Sequence, residues 1–499
     1  MLTSRYPAKR WVSAFAVAAS TVTMSALFVL PSSLAAGATS EAAWRVIPSP
    51  DVSPTQDNVL NAVTCGEFGC VAVGDHWNGT NFQTLAEYSP YSPNGESSWS
   101  ILRSQNIGSS EDNVLNGVSC WEFPLLKFTC VAVGYYFDPD TGAFQTLTAG
   151  WLGEAPVDPK KDAGWSVSPG PDVGSSENNV LNGVSCFFDQ TFNPTCLAVG
   201  DYLSGGSEHP LVVTVLNNSY PSVFSAPGSG ELKSMSCEDD RDSCTAVGDE
   251  GGAQTLVENW NGSTVSIVPS PNPPNASDIA LNSLSCASSS ACTAVGDYST
   301  GASRTGLIET WDGTSWSIAP NVTQPKTSNV TLNAVSCSLI QFTRVSECTV
   351  VGDYSTGGND LTLVESWDGT SWSIVPTPNA DPTGNNSLNG VVGVLAVGEY
   401  NNGHNDQTLV MSPVHAVESY RLVASDGGVF AFSAAAYHGS MGGKHLNASI
   451  VGMAADPAAA DPAGPATGGY WLVGSDGGVF SFDAPYLGSM GGKHLSAPI

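Results

Sequence analysis

Apolar and polar positions alternate along this chain in short runs that stop at Gly, Asn, Asp, Ser or Pro, the pattern of brief β-strands joined by tight turns. Between positions 331 and 376 four such runs are legible, at 331–337, 348–354, 361–367 and 371–376, and they predict one four-stranded antiparallel sheet. The pattern recurs seven times, opening on Leu60, Leu115, Leu181, Leu232, Leu281, Leu332 and Leu388. Its core reads Leu-Asn-x-Val-Ser-Cys, a variable loop, then Cys-x-Ala-Val-Gly-Asp. The seventh copy stops short, because no Trp-Ser-Ile segment follows its third run near Pro413.

Spacings of 49 to 66 residues match the period of propeller blades rather than that of helical solenoids. The missing fourth run stands at the other end of the chain, where Trp44-Arg45-Val46-Ile47-Pro48 matches Trp372-Ser373-Ile374-Val375-Pro376. Seven fourth-strand segments, beginning near Trp44, Trp99, Trp165, Ser222, Thr264, Trp316 and Trp372, thus meet seven sets of the other three. The expected fold is all-β: a seven-bladed β-propeller of four-stranded antiparallel blades, with the ring closed by the N-terminal strand so that few strand edges stay open. Composition agrees, since 53 Gly and 32 Pro among 499 residues favour turns over helices.

The organisation predicted is a signal peptide over 1–38, a propeller over 39–413 and a different repeat over 414–499. Arg5, Lys9 and Arg10, an apolar stretch from Trp11 to Leu30 and small residues at Ala35 to Ala38 give the charge, core and cleavage site of a secretion signal; a retained anchor is the rival reading. No Cys follows the stretch to carry a lipid, and no later apolar run is long enough to span a bilayer, so no membrane span is expected in the mature chain.

The twelve cysteines fall in pairs, Cys65 with Cys70, Cys120 with Cys130, Cys186 with Cys196, Cys237 with Cys244, Cys286 with Cys292 and Cys337 with Cys348. Each pair flanks a loop of variable length at a fixed register, which predicts a disulfide between first and second strands, as an oxidising compartment allows. The seventh copy lacks both cysteines and the loop. Zinc is the competing use, but the spacings are irregular and no His cluster accompanies them.

The same register predicts that Asn61, Asn116, Asn182, Asn282, Asn333 and Asn389 lie opposite the Gly of the second strand. Next to that Gly stand Asp75, Asp201, Asp249, Asp297, Asp353 and Glu399, with Tyr135 in the remaining copy. A circle of carboxylates on the face opposite the cysteine loops is the candidate binding surface. Two readings stay open: each acid serves its own turn or the adjacent Asn, or the circle binds a polar ligand. Hard oxygen ligands leave Ca²⁺ possible, although no Asp-x-Asp-x-Asp-Gly loop occurs and no other cofactor or metal site is expected.

Between the third and fourth runs stand Trp260-Asn261-Gly262-Ser263, Trp311-Asp312-Gly313-Thr314-Ser315-Trp316 and Trp367-Asp368-Gly369-Thr370-Ser371-Trp372, strong hairpin signals. The form Asp-Gly-x-x-Trp resembles the Asp-box hairpin of sialidase-like propellers. That resemblance implies a structural turn at the outer edge of a blade. It argues against sialidase chemistry, which needs three arginines on a substrate carboxylate, since the predicted ring holds only Arg45, Arg103, Arg241, Arg304 and Arg344. The hairpin tryptophans, fixed at one place per blade, are read as packing between sheets rather than as sugar platforms.

After Pro413 the repeat becomes Leu-Val-x-Ser-Asp-Gly-Gly-Val-Phe-x-Phe, at 422–432 and again at 472–482, each followed by Gly-Ser-Met-Gly-Gly-Lys-His-Leu. It is similar to the Ser-Asp-Gly-Gly repeat of secreted bacterial propeller-like proteins, where many copies run in tandem, and the first seven repeats resemble those of the same exported class. Two copies cannot close a ring, so an incomplete propeller-like region is expected: a partial sheet, a half-assembly completed by another chain, or the stump of a longer protein.

Net charge is −30, and loss of the signal leaves 13 basic against 46 acidic residues, which excludes nucleic acid as a partner on electrostatic grounds. No Gly-x-Ser-x-Gly elbow, His-Glu-x-x-His helix, phosphate loop or dinucleotide fingerprint occurs, and no catalytic residue is assigned. The sequence therefore points to a secreted, extracellular, non-enzymatic scaffold that binds a polysaccharide or protein. The alternative is a glycan-active hydrolase or lyase with a carboxylate pair drawn from Asp201, Asp249, Asp297 or Asp353.

Overall fold

The computed structural model describes residues 44–493 apart from 67–68, 91–97, 109, 124–126, 155–163, 175, 189–193, 217–221, 239–242, 321–328, 340–345, 356–357, 414–419, 433–436 and 456–468. The predicted signal segment, Arg241, Arg344 and His494 lie outside these residues. Every element described is a β-strand, and seven sheets are four-stranded and antiparallel, numbered one to seven by first strands holding Leu60, Leu115, Leu181, Leu232, Leu281, Leu332 and Leu388.

Sheet six shows the plan. Asn329–Leu339, Ser346–Ser355, Asp360–Trp367 and Trp372–Val375 pair in chain order. Apolar residues of alternating orientation, such as Leu332, Val350 and Leu363, pack against Val295 and Ile308 of sheet five. On the other side of sheet six, Val351 and Val364 pack with Leu388 and Leu409 of sheet seven. Both faces of each sheet are thus buried by its neighbours, which is why the runs read as nearly continuous hydrophobics with β-branched residues.

In sheet seven, Asn386–Val392, Leu395–Asn401 and Asp406–Pro413 come from one end of the chain and Trp44–Ile47 from the other. Trp44 stands opposite Pro413 and Ile47 opposite Val410. Trp44 is buried in the cluster shared by sheets six and seven, while Ile47 is buried in that of sheets seven and one.

All six disulfides join the cysteines paired by the sequence, each linking directly opposite residues of first and second strands. In the third-to-fourth-strand hairpins, Asp312 Oδ1 accepts from the amides of Thr314 (2.8 Å) and Ser315 (2.9 Å) and from the Thr314 hydroxyl (2.7 Å). These bonds, led by the hydroxyl of Thr370, hold the equivalent exposed Asp368 carboxyl down at about 2.

Recurrent polar clamps connect the sheets. Buried Asn58, Asn113, Asn179 and Asn386 each accept one amide and donate twice to carbonyls of the loop before their own strand, as Asn386 does with the Asp381 amide and the carbonyls of Asp381 and Gly384. After five of the fourth strands an Asn or Asp turns back onto the third strand, as Asn379 accepts the Thr362 amide at 2.9 Å and Asp51 the Thr408 amide at 2.9 Å.

Beyond residue 419, Tyr420–Val423 pairs with Val429–Phe432, and Ile450–Ala455, Tyr470–Gly474 and Val479–Phe482 form a three-stranded sheet. By sequence Ile450 ends the first Ser-Asp-Gly-Gly copy, yet its strand pairs with the second, so the sheets straddle the repeat boundary. In both copies the turn is held by the Asp, with Asp426 and Asp476 accepting the amides of Gly428 and Gly478.

That the N-terminal strand closes the ring is tested by deletion of residues 44–50 from the mature chain. Sheet seven then loses its fourth strand and Trp44, and the thermal midpoint is expected to fall by roughly 5 °C or more. An unchanged midpoint shows that this strand contributes nothing to closure.

Candidate functional site

The second-strand Gly sits opposite Leu, not opposite Asn: Leu60 pairs with Gly74, Leu332 with Gly352 and Leu388 with Gly398. The next residue on the first strand is skipped in the register, so Asn61, Asn333 and Asn389 occupy bulges. This corrects the placement expected from sequence, where alternation alone cannot reveal an extra residue. The close crossing explains the Gly, since a Cβ on Gly74 would lie 2.1 Å from the Val59 carbonyl oxygen.

A bulged Asn is free of the ladder of its own sheet and turns to the next one. Asn61 Nδ2 donates to the Leu115 carbonyl (2.9 Å), Asn116 to Leu181 (2.9 Å) and Asn182 to Leu232 (3.1 Å). Asn282 donates to Leu332 (3.0 Å), Asn333 to Leu388 (3.0 Å) and Asn389 to Leu60 (3.2 Å). These side chains, with the residues that follow them, line a central cavity of about 240 Å³.

Behind the Asn residues stand the acids, one sheet position from the Gly and at the opposite end of the second strand from the disulfide. Asp75 Oδ1 accepts from Asn61 at 3.3 Å, and burial pushes its carboxyl up to about 6. Asp353 Oδ1 accepts from the Ser387 hydroxyl (2.9 Å) and Asn333 (3.4 Å), and burial lifts it to about 6 as well. Glu399 accepts from Asn389 and is raised by burial to about 8. Asp201, held by Asn182, reaches about 7 through burial and then the nearby charges of Glu231 and Glu208. Asp249 accepts the Gly252 amide at 2.7 Å, closing its own turn. Asp297 is raised by burial, lowered in part by Arg304 at 2.5 Å, and accepts from Asn282 at 3.1 Å. Tyr135 fills the seventh place, its ring edge-on to Phe144.

Two features escaped the sequence reading. Sheet four carries Lys233 where the other six carry Asn, so a single ammonium enters the circle. Its Nζ lies 3.0 Å from Glu231, 3.3 Å from Asp249 and 3.5 Å from Asn282 Oδ1. Burial works against that charge, but attraction to Glu231 and Asp249 outweighs it and raises the pKa. The signal was present as Leu232-Lys233 in a Leu-Asn pattern. The second feature is Glu87, Glu258, Glu309 and Glu365 on third strands, all at most 1 % exposed. Glu87 accepts from Ser49 at 2.6 Å and Glu309 from Ser270, whereas neither Glu258 carboxyl oxygen has a partner among the described residues. Burial raises Glu87 and Glu258 to about 8 and Glu309 to about 7. An acid inside an apolar Leu-Val-Glu run was the available sign.

Among the described residues no group of three or more His, Cys, Asp or Glu is arranged to hold a metal ion, and no helix is long and apolar enough to cross a membrane.

No family model and no curated protein matches the chain. Among solved structures it is similar to a fungal lectin from Aleuria aurantia described as a six-bladed β-propeller with a fucose recognition mode. Identity there is 10 % over 59 % of this chain and 90 % of that one, with a TM-score of 0.37. It is also similar to Trypanosoma rangeli sialidase, at 10 % identity over 74 % of this chain and 57 % of that one, TM-score 0.39. A third is an arginine-substituted form of AofleA from Arthrobotrys oligospora, at 11 % over 70 % and 94 %, TM-score 0.38. At such identities the likeness concerns the fold alone.

The raised carboxyls make stability depend on pH with a definite sign. The native chain keeps protons at Asp75, Asp201, Glu399, Glu87 and Glu258 that the unfolded chain releases between about pH 4 and 5, so the contribution is complete below that range and is lost as pH rises through about 6 to 8. The thermal midpoint is expected to fall steadily from about pH 5 to about pH 8.5, and Glu399→Gln to flatten part of that slope. A midpoint that rises across this interval contradicts the assignment.

Proposed function

We propose that the chain is an exported, non-enzymatic binding scaffold at the cell exterior, with a signal peptide over 1–38, a binding ring over 39–413 and an accessory β-repeat region over 414–499. Six disulfides support an oxidising, extracellular setting. The partner is an extracellular polysaccharide or protein, and a net charge of −30 weighs against nucleic acid.

One observation carries the non-enzymatic reading: every acid of the circle is already engaged. Asp75, Asp297, Asp353 and Glu399 are held by the bulge Asn of their own sheet, and Asp249 closes its own turn. Acid and base catalysis on a glycoside needs two carboxylates facing a common substrate and tuned apart, and the bonds tie these acids to the frame instead. The circle Asp75, Asp201, Asp249, Asp297, Asp353 and Glu399 then presents a polar rim whose contribution to binding is through its outward oxygens, with Ca²⁺ as a candidate bridge.

A second reading draws on Asp201 alone. Its carboxyl is held near 7 beside Glu231 and Glu208, a combination suited to a general acid in a glycan hydrolase or lyase.

The purified mature chain is to be screened on a glycan and cell-wall polymer array, with and without Ca²⁺, with mass spectrometry of the products. Retention without cleavage is expected, and Asp201→Asn, which alters one member of the rim, is expected to weaken retention by about threefold or more, ~0.7 kcal/mol. Cleaved products that vanish in Asp201→Asn would establish the enzymatic reading in its place.

A further inference from the structure

The same contact between neighbouring sheets is built in two ways. Between sheets one and two, Tyr88 and Leu102 pack on Trp151 and Trp165, and all four are at most 2 % exposed. Ring centroids of Tyr88 and Trp151 are 5.9 Å apart, and those of Trp151 and Trp165 6.1 Å. The strand registers identify the equivalent positions between sheets five and six. Glu87 pairs with Ile101 as Glu309 pairs with Ile318, so Thr310 stands for Tyr88 and Ala319 for Leu102. On the facing sheet, Trp367 and Trp372 stand for Trp151 and Trp165.

Thr and Ala are too small to cover two indoles. Trp367 and Trp372 remain half-buried, with ring centroids 5.5 Å apart, and a groove of about 300 Å³ opens between the sheets. Trp311 of sheet five lines it as well, together with Thr310, Ser317 and Ser346, the Thr310 and Ser317 hydroxyls lying 3.4 Å apart. Among the described residues no charged side chain lines the groove. Its size is at the lower end of small-ligand sites, and aromatic walls with a few polar groups are their usual chemistry.

We propose that this groove is a subsite for one neutral sugar ring of a polysaccharide, an inference that rests on the binding reading above and specifies its ligand. A pyranose offers an apolar face of C–H groups to an indole and a rim of hydroxyls to hydrogen-bond partners, and the groove supplies both. With no cation among the described lining residues, uronates and other acidic sugars would leave their charge unpaired on burial, and the groove favours neutral rings. The opening depends on Thr310 and Ala319 of sheet five rather than on the recurring tryptophans.

The test fills the groove with side chains the protein already uses elsewhere. Thr310→Tyr combined with Ala319→Leu restores the packing found between sheets one and two and is expected to leave the thermal midpoint equal or higher. Binding of neutral gluco-, galacto- and manno-oligosaccharides, followed by intrinsic tryptophan fluorescence and by calorimetry, is expected to weaken at least tenfold. Ser317→Arg, at an exposed strand position, blocks the groove without altering the core and should do the same. Oligosaccharide binding by the wild type that both variants retain overturns the groove while leaving the scaffold reading intact. Wild-type binding confined to acidic glycans or to protein also overturns it. A wild type that retains no ligand of any class overturns the groove and the scaffold reading together.

Discussion

The first strand of every sheet is an edge, and an edge strand turned toward the middle of the molecule has backbone groups that no further strand can satisfy. The structure depends on how those groups are met. The bulge Asn residues supply donors to the Leu carbonyls of the next sheet, and a Ser one or three positions on accepts amides across the same boundary. Ser185 takes the Cys237 amide at 3.1 Å, Ser285 that of Cys337 at 2.9 Å, and Ser336 that of Gly393 at 2.9 Å. Each such bond is worth about 1 kcal/mol net, and leaving the backbone group unmet costs more than the bond itself gains.

The bulge serves two ends at once. It frees the Asn side chain from its own ladder, and it brings Leu against a Gly that has no Cβ to clash. The acid beside that Gly is then drawn into the boundary, where the Asn holds it and burial discourages its charge. A rim composed of carboxyls could repel itself apart in a chain this acidic. Partial protonation of Glu399 and Asp201, with Lys233 between Glu231 and Asp249, lowers that repulsion.

The surfaces proposed for binding lie where repetition fails. Six Asn positions make a uniform circle, and the one Lys distinguishes a direction around it. The hairpin tryptophans are packing residues at most boundaries, as Trp316 is among Val247, Val257 and Cys292. Between sheets five and six two small residues leave Trp367 and Trp372 half-buried. A repeat scaffold can therefore gain a site by deletion of volume at a single interface, with the rest of the core unaffected because each sheet packs chiefly on its neighbours.

Much of this was legible in the chain. Seven copies with a displaced fourth run implied the sheets and the pairing of Trp44–Ile47 with the last of them, and cysteine register implied the six disulfides, because strand pairing within a copy is local and period-two alternation is written into neighbouring residues. The circle of acids was likewise readable as one position per repeat. The bulge, the partner of each Asn, the buried Glu of the third strands and the open groove were decided only by tertiary structure. The Asn partners and the groove rest on contacts between residues 50 or more positions apart, and whether Thr310 and Ala319 cover a tryptophan depends on the volume available between two sheets, which no single repeat contains.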